Sequence, residues 1–318
     1  MLKRRIIIDT DPGLDDAAAL FIACSAPELD IKAVTTVAGN QTLDKVTENA
    51  KRILGYLKSS NRFAVGARGP LIRELETAPD VHGDTGLGTV VFPHSSIELD
   101  EKNAYEVIYE EALEANGELE ILALGPLTNI AMTMLIYPEI EGMIKHITLM
   151  GGSCYIGNYT PAAEFNIFVD PEAAKIVFES GIPITMIGLD ATYRAYIMPD
   201  EIDSIFELEN DYTRMLKQII EVLAKVSIEG GFKGAIMHDP LATASLIDPG
   251  VIDTREYYVA IETKGEYTRG KTVVDIYNVT GRKPNAQVAI DADRQRFIKI
   301  LQKTINVLSN ADNRRYNM

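Results

Sequence analysis

Arg4-Arg5-Ile6-Ile7-Ile8-Asp9-Thr10-Asp11-Pro12-Gly13-Leu14-Asp15-Asp16-Ala17-Ala18-Ala19-Leu20-Phe21-Ile22 carries the local grammar of the fold. The β-branched run predicts a buried strand that ends at Asp9. Pro12-Gly13 turns the chain, and Asp15-Asp16 open an apolar helix with acids in its first turn, where the helix dipole favours them. Strand, polar turn and helix in direct succession form the first half of a βαβ unit. The same order recurs downstream. A strand over 31–37 leads through Ala38-Gly39-Asn40-Gln41 to a helix over 43–57. Apolar strands over 120–124 and 146–150 are broken by Gly125-Pro126 and Gly151-Gly152, and a strand over 184–188 follows a helix over 171–180. The expected fold is α/β: an open, mostly parallel Rossmann-like sheet with helices on both faces.

Ligands of such sheets sit beyond the carboxyl ends of the strands. The polar clusters at 9–16, Asn40, 124–129 and 151–166 all fall there. Two long loops, 66–96 and 151–170, belong to the same region, and loops of that length in a compact domain usually serve function. An amphipathic helix over 216–228 ends at Gly230-Gly231, residues 257–290 predict an antiparallel β region, and a helix over 294–308 closes the chain. No repeat or linker interrupts the 318 residues, so 1–318 is expected to form a single domain.

Composition narrows the function classes. Lys plus Arg total 31 against 46 Asp plus Glu, a net charge of −15. Such a chain lacks the basic footprint of a nucleic-acid binder and is unsuited to an anionic membrane surface. Two cysteines make no disulfide framework, and neither has a metal-binding partner at C-x-x-C spacing; Cys24, in an apolar run, reads as a small core residue. The basic start is followed by an apolar stretch that stops at Asp9, too short for a signal peptide. No run approaches the ~20 apolar residues of a membrane span. A cytoplasmic protein is expected.

Asp9, Asp11, Asp15 and Asp16 place four carboxylates within eight residues. Helix capping explains one or two of them. Four together repel one another and drive pKa values up, whereas a hard divalent cation removes the repulsion and prefers such oxygens. A D-x-D phosphatase reading fails on Gly13, which stands where those enzymes carry a small β-branched residue. His238-Asp239-Pro240 opens another helix and adds a group that titrates near neutrality beside a fifth carboxylate. Asn158 and Glu164-Phe165-Asn166 supply donors and acceptors of the kind that hold sugar hydroxyls.

The stretch from Asp9 to Ala17 closely resembles the signature of the inosine–uridine-preferring nucleoside hydrolases. Val34-Thr35-Thr36-Val37-Ala38-Gly39-Asn40, Leu124-Gly125-Pro126-Leu127-Thr128-Asn129, Leu149-Met150-Gly151-Gly152, Ala163-Glu164-Phe165-Asn166 and His238-Asp239-Pro240 follow in that family's order. The resemblance implies one Ca2+ held by Asp11, Asp16, the Leu124 carbonyl and Asp239, with Asp11 as the base that activates a water. It implies that Asp15, Asn40, Asn158, Glu164, Asn166 and Asp239 hold the ribose and that His238 lies near the leaving base. Phe165 is expected to cover the substrate, and His82, in a glycine-rich loop, to bind it. His94 and His146 are expected to be structural or on the surface.

The implied activity is hydrolysis of the N-glycosidic bond of ribonucleosides, with uridine, cytidine or inosine as substrates and ribose and free base as products. Family members are usually homo-oligomers, dimers or tetramers. The absence of Trp speaks against the branch that stacks purines between tryptophans. The region before His238, residues 224–237, contains Phe232 and no Tyr, so Tyr193, Tyr196 or Tyr212 becomes the candidate hydroxyl donor to the base. Asp239 is expected to favour the charged form of its neighbour His238. The alternatives are a hydrolase of another ribosyl compound and a non-catalytic nucleoside-binding protein.

Overall fold

The computed structural model describes residues 3–313. Its centre is the strand β1 (Arg4–Thr10), which pairs in parallel with β2 (Leu29–Thr36) on one side and with β4 (Leu119–Ala123) on the other. Beyond β2 lies the edge strand β3 (Arg62–Val65). Beyond β4 come β5 (Ile144–Met150) and β6 (Ile184–Ile187), also parallel. Two small antiparallel ribbons stand apart from the sheet: β7 (Tyr196–Ile197) with β8 (Ala235–Ile236), and β10 (Val259–Ile261) with β11 (Thr272–Val274). The sheet is completed by β12 (Ala286–Ala292), parallel to β6, and by β9 (Ile252–Tyr257), antiparallel to β12. The order is therefore β3-β2-β1-β4-β5-β6-β12-β9.

The alternation of β1 explains the layers. Ile6 and Ile8 face one core and Ile7 the other, as the two-residue period of a strand requires. On the Ile6 face pack α1 (Leu14–Ser25), α2 (Leu43–Tyr56) and helices of the second half of the chain. On the Ile7 face pack α4 (Ala104–Ala115), α5 (Thr128–Ile136) and α7 (Pro171–Glu179). The chain leaves β1 towards β2 and later returns to β4 on the opposite flank. The crevice outside the carboxyl ends of β1 and β4 is therefore the switch point where doubly wound sheets bind ligands.

The doubly wound reading holds, and the differences are local. β1 runs one residue further than expected, to Thr10, and β4 stops at Ala123, which leaves Leu124 as the first residue past the sheet. The expected antiparallel region is divided: β12 joins the main sheet, parallel to β6 and antiparallel to β9, while β10–β11 form a separate antiparallel ribbon. Both long loops contain short helices, α3 (Pro79–His82) and α6 (Phe165–Val169), the latter capped by the Glu164 side chain. Two more short helices, α8 (Leu189–Thr192) and α9 (Pro199–Ile205), flank β7. The closing helix α12 extends over Arg294–Asn313. Among the described residues no helix is long and apolar enough to cross a membrane.

Candidate active site

The turn after β1 places its carboxylates by backbone contacts. Asp16, in the first turn of α1, accepts from the Gly13 amide at 2.9 Å and from the Thr10 hydroxyl, which ties the helix start to the strand end. Asp11 accepts from the Asn40 amide at 2.6 Å through Oδ2, while its Oδ1 is buried without a hydrogen-bond partner. The Asp11 carboxylate sits in a slot of bare backbone. A Cβ on Gly39 would lie 2.1 Å from Oδ2 and one on Gly125 2.5 Å from Oδ1, so neither position has room for a side chain. Asn40 donates its side-chain amide to the Asp11 carbonyl at 3.2 Å and to Asp16 at 3.1 Å. It thus holds the carboxylates in place, a task that precedes any contact with substrate.

Behind this layer, Asp9 accepts from Thr35 at 2.6 Å and from Asn129 at 2.7 Å, yet burial pushes its pKa up to about 7. Burial also raises Asp11 well above the usual carboxylate range, with Asp16 and then Asp15 adding repulsion. Asp239, at the start of α11 (His238–Ile247), is raised in the same way by burial and by Asp15, Asp16 and Asp11. Asp15 rises to about 6, and burial is again the main cause.

This set fits a divalent cation. Carboxylate oxygens of Asp15, Asp16 and Asp239 lie within 4.8 Å of one another. Two ligands at ~2.3–2.6 Å from one Ca2+ are at most about 5 Å apart. The unpartnered Asp11 Oδ1 is a further acceptor in the same electrostatic group. Two contacts bear on the expected ligand set of Asp11, Asp16, the Leu124 carbonyl and Asp239. Asp15 joins Asp16 and Asp239 in the three-carboxylate cluster, and the Leu124 carbonyl accepts from the Asn166 amide at 2.7 Å.

A pocket opens over the cluster. Asp15, Asn40, Leu124, Asn158, Glu164 and Asn166 line it. His82, Phe165, His238 and Asp239 line it too. Asp11 and Asp16, fully buried, are not among its lining residues and back it from below. Glu164 accepts from the amides of Asn166, Gly152 and Ile167 at 2.9, 2.9 and 3.2 Å. Burial outweighs these bonds and lifts its pKa to about 7. Asn158 accepts from the Phe165 amide at 3.0 Å, which leaves its NH2 group for a ligand. Asn166 spends its amide on the Leu124 and Met150 carbonyls.

The lining also includes apolar residues: Val81 from α3, Leu223 and Val226 from α10 (Asp211–Glu229), and Ile236 from β8. Reading the sequence did not single out these residues, nor Tyr159 and Ser227, which also line the pocket. The amphipathic stripe of α10 was the available signal. Tyr159 packs edge-on against Phe165 at 5.3 Å and donates to Glu76 at 2.7 Å, joining the two long loops at the pocket.

His238 lines the same pocket. Burial pushes its pKa down to about 4, with His82 acting in the same direction, so the ring is neutral. The expected support from Asp239 is outweighed, because Asp239 is itself driven towards its neutral form. His82 is lowered to about 4 by burial against the pull of Asp16, and its Nδ1 accepts from the Leu14 amide at 3.3 Å. Of the three candidate tyrosines, Tyr193 lies beside His238, rings 5.7 Å apart, and Tyr196 stacks on Arg294 instead. Tyr212 packs on Tyr56. His94 is exposed, and His146 bonds Thr185 at 2.8 Å away from the pocket.

The profile of the inosine-uridine preferring nucleoside hydrolase family matches residues 6–299. The pyrimidine-specific ribonucleoside hydrolase RihA of Photobacterium profundum is 46% identical over 307 residues, which cover 96% of this chain and 99% of that protein. Among solved structures, the plant nucleoside hydrolase PpNRh1 matches with a TM-score of 0.90 and 30% identity, covering 96% of this chain and 99% of its own. The purine-preferring ribonucleoside hydrolase from Gardnerella vaginalis matches with a TM-score of 0.89, the same identity and the same coverage. On sequence and fold alike, this chain belongs to the inosine-uridine preferring nucleoside hydrolase family.

Proposed function

We propose that this ribonucleoside hydrolase works with Ca2+ and prefers pyrimidine ribonucleosides, uridine and cytidine, with inosine as a further candidate. The carrying observation is that one pocket is lined both by carboxylates and amides, matched to a ribose, and by apolar side chains, matched to a base, with His238 among them. The base preference is supported by the 46% identity to a pyrimidine-specific relative and by the absence of Trp.

Asp11, Asp15, Asp16 and Asp239 would hold the cation, with the Leu124 carbonyl at the same edge. The bound ion would supply charge compensation for the carboxylates and a Lewis acid that eases loss of a proton from water. The remaining chemistry belongs to the chain. Asp15, Asn158, Glu164, Asn166 and Asp239 orient the ribose hydroxyls, Asn40 fixes the carboxylates, and Phe165 and His82 exclude water. The C1′–N bond breaks with its electron pair leaving on the base, and the positive charge that develops on the ribosyl centre is stabilised by the carboxylates around it. The water oxygen bonds to C1′ and its proton passes to Asp11, whose free Oδ1 is the acceptor. Neutral His238 donates a hydrogen bond to the departing base.

Chain 1–318 is taken as one domain that works as a homo-oligomer, dimer or tetramer, in the cytoplasm; the exposed Tyr267, Tyr277 and Val279 are apolar surface that partner subunits would cover. Reducing-sugar release from uridine, cytidine, inosine and adenosine tests the reading. The expected kcat/KM for the pyrimidines is higher by about 10-fold or more, on the scale of ~1–3 kcal/mol available to pocket discrimination. Adenosine as the best substrate would overturn the base preference. Binding without any ribose release would leave a nucleoside-binding protein.

A further inference from the structure

The Nδ1 atom of His238 lies 2.8 Å from the hydroxyl of Thr192, a fully buried side chain at the end of α8. The pair is brought together by tertiary structure. The ribbon β7–β8 pairs Tyr196 with Ile236, and the Met237 amide donates to the Ala195 carbonyl at 2.9 Å, so the residue before His238 is pinned three residues past Thr192. The turn of α8 is itself anchored to the segment that holds Glu164. The Leu189 amide donates to the Gly152 carbonyl at 2.9 Å, and Asp190 accepts from the Cys154 amide at 2.6 Å. Gly152 also donates to Glu164. Tyr193 then closes edge-on against the imidazole.

His238 Nδ1 and the Thr192 hydroxyl share one hydrogen bond, and which of the two donates decides what Nε2 can offer. If the ring donates from Nδ1 to Thr192, Nε2 presents a lone pair to the pocket. If the Thr192 hydroxyl donates to Nδ1, the ring proton is on Nε2 and can meet the base. A base that leaves with the electrons of the C1′–N bond needs a donor, and only the second arrangement supplies one. We propose that Thr192 is the positioning residue of the reaction: its hydroxyl donates to His238 Nδ1 and so fixes the Nε2–H tautomer that faces the leaving base. This rests on the reading of His238 as the partner of the departing base.

The test uses the Ca2+-loaded full chain in two measurements. 15N NMR of the histidine rings, with the His238 signals identified by their loss in His238→Gln, should show Nε2 protonated and Nδ1 as an acceptor in the wild type. In Thr192→Val that preference should be lost. In turnover, Thr192→Val should lower kcat on uridine by about 10- to 100-fold, below the ~10²–10⁴ that a general acid contributes, with KM little changed. Activity on 4-nitrophenyl riboside, whose leaving group needs no donor, should persist, and Thr192→Ser should restore uridine turnover. A wild-type His238 protonated on Nδ1, or an equal loss on both substrates, would overturn the proposal. If the wild type hydrolyses no nucleoside, the proposed function falls, while the NMR measurement still decides the role of Thr192.

Discussion

His238 is one residue from Asp239 and shares the pocket with Asp15, yet it carries no charge, because burial holds its pKa at about 4. Desolvation outweighs the carboxylates, which are themselves driven towards neutrality. Its contribution is therefore a directed hydrogen bond and not a full proton charge at neutral pH. His238→Ala should lower kcat on uridine by roughly 10²-fold or more, the scale of a lost general acid, and leave an activated nitrophenyl riboside largely unaffected. Initial rates on the two substrates check this, and an equal loss on both would make His238 a substrate-positioning residue. Asp11 shows the opposite case. Its geometry is set by the absence of side chains at Gly39 and Gly125, and one of its oxygens is left unsatisfied in the interior. Such an orphaned acceptor costs free energy that only a bound cation or a proton recovers.

At the scale of elements, the site is the ends of β1 to β5, the loops that follow them and the start of α11. Two of those loops meet where Tyr159 donates to Glu76 at 2.7 Å and packs on Phe165. The hydrogen bond is partly solvated, so it is worth about 1 kcal/mol. Tyr159→Phe should therefore raise KM for uridine about fivefold with kcat unchanged, as steady-state kinetics would show; an unaltered KM would mean that the loops close without this tie. The β1–turn–α1 unit was legible in the sequence because a two-residue strand period, Pro12-Gly13 and a helix opened by acids are all local signals. The four-residue edge strand β3 and the helices α4 and α5 went unread: β3 is too short to show a period, and the buried faces of α4 and α5 are settled by packing. The apolar lining from α10 was hidden because Leu223 and Val226 look like core residues until the fold places a pocket beside them. Thr192 was hidden for another reason, since its partner is 46 residues away.

For the whole molecule, the buried acids link stability to pH and to the cation. A carboxyl whose folded pKa is raised keeps its proton longer in the folded state, so its stabilisation is full below the unfolded value and is lost as pH rises towards the folded one. Asp9 and Glu164 titrate near 7, and Asp11 and Asp239 are raised well above the ordinary carboxylate value. The lowered histidines, His82 and His238, act with the opposite sign, but only up to their ordinary value of 6.5. Between pH 6.5 and about 8 the carboxyls alone remain. The Tm of the chelator-treated protein should fall across that interval, and saturating Ca2+ should raise Tm and flatten the slope. A Tm that climbs with pH in the absence of cation would contradict the burial of these acids. The central claim joins that acidic cluster to catalysis, and the most direct measurement is ribose release from uridine by the chelator-treated protein during back-titration with Ca2+, with Asp11→Ala alongside. Activity should vanish on chelation, return with Ca2+, and be abolished in Asp11→Ala under all conditions. Full turnover in the presence of chelator, or near-normal kcat in Asp11→Ala, would contradict it.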